Sequence, residues 1–595
     1  MSSDKLVFDL SQEIEGSPNV FIKKDWLNIL DNQSQNYNSN QSIVDTSQLS
    51  NSNKYMSYRE GYFLIPMLLT LSTVNGNFQP ATAATSGDYA IGLKNWFGTI
   101  IHSFTVDYNG VTIIQQTPYI NMWNSFKLIT SLSYNDIAIS GSTIGFYPDD
   151  YLTFEFAPLT GTTSGSGVCN NTNTQNINLP SFGNFNDYAS GSGNIGFYKR
   201  QQMINFDPNG IPSASGGTTQ YTSLIPTANI NLLWKSYVFN KVNQDSTLGT
   251  PGLLEIAITA TVYLKHIHSF FSMIPLLKGV FLKMTMNLNN AQSTINITGT
   301  STSVSTSTNM ALNTSSVAVG GVNPIMIAST LAGQGGANLG GQLGVTGNFV
   351  ATYTATLSVG GRCLFSSVAS LTPSYQNSPL SQSVYLYLPA YSFNPVFEQA
   401  YLSSPIKNIC YTDVYQYQVL NVAANANFNN LLTNGIANIK SILILPFYSS
   451  AAGSANTGIS QGIPVFQSPF DPAGTGPTSP LCLFSNFNVV VSGQNAIYNT
   501  ERYSFEQYNN QLYGQNSVNG GQTDGLCSGL INSLAFEMNY CYYYVNISRM
   551  LPIEEKVPKS VQIVGQNMSG KAVDLYCFIE YGVDISLDLL TGARV

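Results

Sequence analysis

Charge is what this chain lacks most. Only 9% of its residues are Asp, Glu, Lys or Arg, against roughly 25% in ordinary globular domains. Asn, Ser, Thr, Gln, Gly and 35 tyrosines take their place. Such a surface hydrogen-bonds water but carries little like-charge repulsion and little ion desolvation cost. It suits broad contact with copies of the same chain better than life as a dispersed monomer. Basic clusters are scarce too, Lys23-Lys24 and Lys199-Arg200 being examples. Nucleic-acid affinity rests largely on phosphate contacts, and a net charge of −8 supplies no basic stripe for them. Direct, sequence-specific nucleic-acid binding is not expected.

Other absences narrow the field. The seven cysteines (169, 363, 410, 482, 527, 541 and 577) are scattered without any C-x-x-C. The N-terminus lacks a basic segment followed by an apolar one, and no apolar run approaches the roughly 20 residues needed to span a bilayer. The expectation is a protein made in the cytosol with reduced thiols. Sequons such as Asn296-Ile-Thr298 and Asn546-Ile-Ser548 are then chance products of Asn, Ser and Thr richness. Hydrophobic content of 43% excludes disorder of the whole. Long helical periodicity is nearly missing, so the fold class is all-β.

What the chain does have is an internal echo, the first thing to look for in a long sequence. Tyr62-Phe63-Leu64-Ile65-Pro66 matches Ile442-Leu443-Ile444-Leu445-Pro446, with 446 − 66 = 380. Phe104, Val106, Tyr108, Gly110 and Ile114 match Phe487, Val489, Val491, Gly493 and Ile497, with 487 − 104 = 383. Phe270-Phe271 with Pro275 precede a strand at Phe281, as Tyr542-Tyr543-Tyr544 with Pro552 precede one at Val561; here 552 − 275 = 277. The first copy therefore carries 383 − 277 = 106 extra residues. A domain-sized period points to two copies of one β-fold.

Period-two alternation marks the strands. Ile256, Ile258, Ala260, Val262 and Leu264 share one face of one segment, and Leu282, Met284, Met286 and Leu288 alternate with Lys283, Thr285 and Asn287. Asn109-Gly110 is a hairpin signal. Gly/Ser/Thr/Asn stretches, including 160–194, 289–347 and 449–480, read as long loops at the ends of the fold. Residues 1–54 read as a polar N-terminal arm with one short amphipathic helix over Phe21 to Leu30, since Ile22, Trp26 and Ile29 fall at helical spacing after Pro18. The predicted division is 1–54 arm, 55–430 first sandwich with large insertions, and 431–595 second sandwich.

Motifs that spell chemistry fail on context. Gly565 to Ala572 is one residue from a phosphate-binding loop, but it lacks the Ser or Thr after Lys571, and a strand pattern follows. Gly191-Ser-Gly193-Asn-Ile-Gly196 lacks a strand before it and a helix after it. His266 and His268, with His102 the only other histidine, read as packed or interface residues. The acidic pairs Glu13/Glu15, Asp149-Asp150 and Glu554-Glu555 read as surface or turn residues, since neighbours on a strand face opposite ways. The tyrosines, as in 540–544 and 411–417, read as sheet-core and interface aromatics rather than as stacking platforms for sugars. No catalytic, cofactor-binding or metal-ligating residue is nominated, no cofactor is expected, and the chain is read as not an enzyme.

With the duplicated strands and hairpins in place, the chain resembles the double jelly-roll major capsid proteins of large icosahedral DNA viruses, and among them the virophage type represented by Sputnik. Lys407 to Tyr411 and Tyr576 to Tyr581 add to the likeness, which runs over about 55–595. The resemblance implies two eight-stranded antiparallel sandwiches in one chain and homotrimers of pseudo-hexameric outline that tile an icosahedral virion shell. It also implies neighbouring trimers, penton and minor capsid proteins as partners, with an internal membrane beneath the shell left open. The expected location is the virion, assembled in host cytoplasm and not secreted. A β-rich attachment or carbohydrate-binding protein is the alternative.

Overall fold

The computed structural model describes residues 19–74, 91–149, 236–242, 252–299, 308–327, 349–360, 383–449, 463–497, 502–512, 529–547 and 556–588, apart from isolated positions, together with Gly196, Lys199, Arg200 and Arg594. Eight strands build a first sandwich: β1 (Phe21–Leu30), β2 (Gln41–Asp45), β3 (Tyr62–Val74), β4 (Ile101–Tyr108), β5 (Val111–Ile114), β6 (Gly252–Tyr263), β7 (Leu282–Leu288) and, after three inserted strands, β11 (Tyr385–Phe393). The insertion comprises β8 (Ala291–Gly299), β9 (Thr308–Val317) and β10 (Phe349–Val359). A second sandwich follows from β12 (Ile406–Val422), β13 (Asn427–Ile436), β14 (Ile439–Tyr448), β15 (Phe484–Val491), β16 (Gln494–Asn495), β17 (Tyr543–Asn546), β18 (Lys559–Asn567) and β19 (Val573–Asp588).

The pairing order settles the architecture. The jelly-roll strands of one sheet of the first sandwich run β1-β11-β3-β6, a sheet enlarged by the inserted strands and by Ser236–Val242 on the far side of β6, and the other sheet runs β2-β7-β4-β5. In the second sandwich the orders are β12-β19-β14-β17 and β13-β18-β15-β16. Counting the eight strands of each sandwich in chain order, both read 1-8-3-6 and 2-7-4-5. That Greek-key permutation in two facing antiparallel sheets is the jelly roll, and the chain contains it twice.

Alternation explains the cores. In β7 Leu282, Met284, Met286 and Leu288 are buried while Lys283, Thr285 and Asn287 are half-buried. They lie opposite Tyr108, Val106 and Phe104 of β4, and Phe63 of the other sheet meets Phe104 at 6.4 Å. In the second sandwich Tyr543 fills the same role against Phe484 (4.6 Å) and Phe487 (4.9 Å). The two hairpins that sequence matching aligned also share a backbone. Asn109 and Gly110 have φ of 46° and 82°, and Ser492 and Gly493 have 48° and 85°. Two successive left-handed residues make the tight turn that fits the twist of paired strands.

The 380-residue echo finds equivalent strands, β3 and β14, but is one residue out of phase. Phe63 faces the core in the first copy. In the second, Ile444 pairs with the core residue Tyr543 and so shares its face. Aligning the prolines sets Phe63 on Leu443, which points the other way. A one-residue slip reverses every side chain of a strand, so the prolines match in spelling and not in position.

Three expectations are corrected. Phe21–Leu30 is a strand, not a helix, because it finds a nine-residue antiparallel partner in β11. Ile22 and Trp26 also fit one strand face, and the partner lies too far along the chain for local periodicity to reveal. Residues 21–45, expected to be part of a polar N-terminal arm, thus supply the first two strands of the first sandwich. The second sandwich starts at Ile406, so a boundary at 430/431 cuts through β13. Residues 289–347 are not simply loop, since β8 and β9 lie within them. Their alternation is polar, and hydroxyl pairs replace apolar contacts: Ser293 with Ser315 at 3.0 Å, and Thr294 of β8 with Thr354 of β10 at 3.4 Å. The tract 160–194 lies outside the described residues.

Candidate functional site: the junction of the two sandwiches

The most elaborate side-chain arrangement in the described residues is the seam between the sandwiches. After β5 the chain forms helix α1 (Ile120–Ser131), and then α2 (Tyr134–Ile144), whose Ser133 and Asp136 make a reciprocal cap. Tyr119, Trp123 and Phe126 stand at helical spacing on one face of α1. That face lies on the outer side of the second sandwich: Tyr119 meets Tyr576 at 5.1 Å, Trp123 meets Phe578 at 6.3 Å, and Phe126 meets Tyr542 and Tyr544 at 5.2 and 5.6 Å. Each aromatic pair adds about 0.5–1.5 kcal/mol beyond its buried area.

Beside this aromatic seam, the open edge of β12 is capped by side chains. Thr117 Oγ1 donates to the Val414 carbonyl at 2.7 Å, and Ser269 Oγ donates to the Thr412 carbonyl at 2.5 Å. Ser269 Oγ also accepts from the Thr412 N–H at 3.1 Å. Tyr411 returns a hydroxyl to the Ile113 carbonyl at 2.5 Å. Unpaired strand edges invite pairing with other chains, and this one is closed by hydroxyls instead of another strand.

A third part is polar and deeply buried. The 463–480 segment between β14 and β15 lies against the first sandwich. Lys94, fully buried, donates from Nζ to the carbonyls of Phe466 (3.3 Å) and Ser468 (2.8 Å). Burial pushes the Lys94 ammonium down and the Asp471 carboxyl up, and the attraction between them opposes both shifts. Arg200 donates from Nε to the Leu93 carbonyl at 2.9 Å, from Nη1 to that of Tyr147, and from Nη2 to Asp149 Oδ1 at 2.6 Å. Tyr540 of the second sandwich donates to the Asp149 carbonyl at 2.7 Å. Asn323 and Ser315 bind the Gln467 carbonyl at 3.1 and 2.5 Å.

The residues singled out from sequence fall as follows. His268 lies in the seam: its Nδ1 accepts from the Phe270 N–H at 3.2 Å, so Nε2 carries the proton and faces Asp413 Oδ1 at 3.3 Å. His266 is not its strand neighbour, because 264–267 form a helical turn that places it against Trp96 at 6.5 Å. His102 is buried with its ring 4.9 Å from Tyr119. Asp149 is not a surface residue but the buried partner of Arg200. The Gly565–Ala572 motif is the β18–β19 hairpin, with Gly570 at φ 70° and Asn567 Nδ2 donating to the Lys571 carbonyl at 2.7 Å. Tyr540, Tyr542, Tyr543 and Tyr544 are buried, so that run offers no sugar platform. Glu13, Glu15, Glu554, Glu555 and Gly191–Gly193 lie outside the described residues. Sequence reading missed α1, although Tyr119, Trp123 and Phe126 carry its i, i+4, i+7 signal. It also missed Lys94 and Asp471, for which no local signal exists.

Acid should weaken this seam. Burial holds the His102 pKa down at about 4, from an ordinary 6.5. Below pH 6.5 the unfolded chain takes up a proton there that the folded chain refuses until about pH 4. The stability present above pH 6.5 is therefore lost as pH falls toward 4, by up to about 3 kcal/mol. His102→Gln should flatten the fall in melting temperature between pH 6.5 and 4. Parallel curves for the two proteins would exclude His102 as the source.

No family model and no curated protein matches the chain. Solved structures with a similar fold do. One is the Sputnik virophage solved by cryo-EM, at 11% identity over 97% of this chain and 88% of that one, with a TM-score of 0.46. The mavirus major capsid protein follows at 9% identity over 98% and 92%, with a TM-score of 0.40. The Faustovirus major capsid protein shows 9% identity over 98% and 94%, with a TM-score of 0.40.

Proposed function

We propose that this chain is a major capsid protein with no chemistry of its own, and that three copies form a capsomer of six sandwiches that tiles a virion shell. The observation that carries this reading is the repeated jelly roll. Two sandwiches of one strand order, fixed to each other by an aromatic, hydroxyl and ion-paired seam, would give a three-fold assembly a six-fold outline. The low surface charge supports the same reading, since copies can pack without large repulsion or desolvation. Penton and minor proteins, and assembly in host cytoplasm, belong to this proposal.

Native mass spectrometry of the purified protein should give a species of three times 64.5 kDa, and electron microscopy of concentrated samples should show shells or sheets of pseudo-hexagonal units. A protein that stays monomeric at high concentration would overturn the reading.

A further inference from the structure

The seam described above covers the outer face of the second sandwich's β12-β19-β14-β17 sheet. The equivalent face of the first sandwich, β1-β11-β3-β6, bears its own aromatic row. Tyr62 stacks on Tyr387 at 5.2 Å and meets Trp26 at 5.8 Å and Tyr263 at 5.6 Å; Tyr385 extends the row at 6.2 Å from Tyr387. In the single chain this row is open: Trp26 is 51% exposed, Ile22 68% and Leu30 44%, and the four tyrosines are half-buried. Tyr576, Phe578 and Tyr544, on the corresponding face of the second sandwich, lie beneath α1.

We propose that this row is a docking surface for a second copy of the chain, and that the part of that copy seated on it is the segment corresponding to α1 in its second sandwich. After α3 (Pro395–Leu402), which links the sandwiches, that segment is α4 (Phe505–Leu512), followed by α5 (Ser533–Asn539). Like α1, α4 lies between the fifth and sixth strands of its sandwich, and the hairpin offset carries Trp123 onto Glu506 (123 + 383 = 506). Tyr508 and Leu512 hold α4 to its own sandwich, leaving Arg502, Glu506 and Asn510 exposed. The receiving face is edged by exposed lysines: Lys265 lies over Tyr263 at 5.5 Å and Lys24 over Tyr391 at 5.0 Å. With Arg502 and Lys24 paired within the chain to Glu537 and Glu60, Glu506 on the helix and Lys265 on the sheet are left as complementary charges, whereas the seam within the chain is aromatic on both sides. The contact between copies thus repeats the internal geometry with a more polar surface, as fits a segment that must stay soluble before assembly.

The inference rests on the capsomer reading, and its test separates the two. The half-dissociation concentration of the full-length assembly is measured by native mass spectrometry for the wild type, Trp26→Glu, Lys265→Glu, Glu506→Lys and Lys265→Glu/Glu506→Lys. Trp26→Glu should raise it by about 30-fold or more, with an unchanged melting temperature for the monomer because Trp26 is on the surface. Each single charge reversal should raise it by roughly 5- to 10-fold, and the double reversal should return it near the wild-type value. Hydrogen exchange of 21–30 should slow on assembly. A trimer indifferent to Trp26→Glu, or a double reversal no better than the singles, overturns this surface and leaves the capsomer reading standing. A monomeric wild type overturns both.

Discussion

Replacing Arg200 with methionine is expected to destabilise the folded chain by about 3–5 kcal/mol, because it takes the guanidinium away from the Asp149 carboxylate in a buried site. The pair is closed from water, with side chains 1% and 0% exposed. Arg200 also serves two carbonyls, so the loss leaves three acceptors short of a donor. Removing both charges should be far milder. Arg200→Met with Asp149→Leu takes away the buried carboxylate as well, and well-packed apolar residues often match a buried ion pair in stability. Urea unfolding followed by tryptophan fluorescence would measure both. An Arg200→Met protein within about 1 kcal/mol of wild type would mean that the pair contributes little beyond a surface ion pair.

The second large effect is expected at Trp123. Cutting it to alanine should cost about 3–5 kcal/mol, the usual range for a buried large aromatic, because it is 5% exposed and lies between Phe126 and Phe578. Unlike a core change within either sandwich, the loss falls on the contact between them. Limited proteolysis should then cut faster within 394–405, the link between β11 and β12, while the cores keep their strands. Wild-type cleavage and melting behaviour would show that α1 is not what holds the seam.

Much of this fold was legible because strand periodicity is local. The alternation in β7, the hairpin pairs Asn109-Gly110 and Ser492-Gly493, and the repeated Phe-x-Val spacing of β4 and β15 each depend on residues within a dozen positions. What escaped depends on distant partners. The strand β1 was mistaken for a helix because its partner β11 is absent from any window that contains it. The strands β8 and β9 were taken for loop because Ser and Thr face one another where apolar residues usually mark a strand. At the junction, Lys94 bonds to carbonyls 372 and 374 residues away, and nothing about an isolated lysine announces that. No residue of the seam was anticipated as such: His266 and His268 alike were read as packed or interface residues, and α1 was readable in principle from three aromatics.

The pairing of β1 with β11 has a consequence for how the chain is made. Leu30 lies opposite Tyr385, so 385 − 30 = 355 residues must leave the ribosome before the first strand meets its partner. At about 5–20 residues per second that is a wait of roughly 20–70 s. Through that interval Ile22, Trp26 and Leu30 sit on a nascent strand whose partner β11 has yet to be made. The second sandwich closes on its last strand as well, since β12 and β14 both pair with β19. Neither jelly roll is complete until its final segment is synthesised, which makes translation pace and chaperone supply determinants of yield.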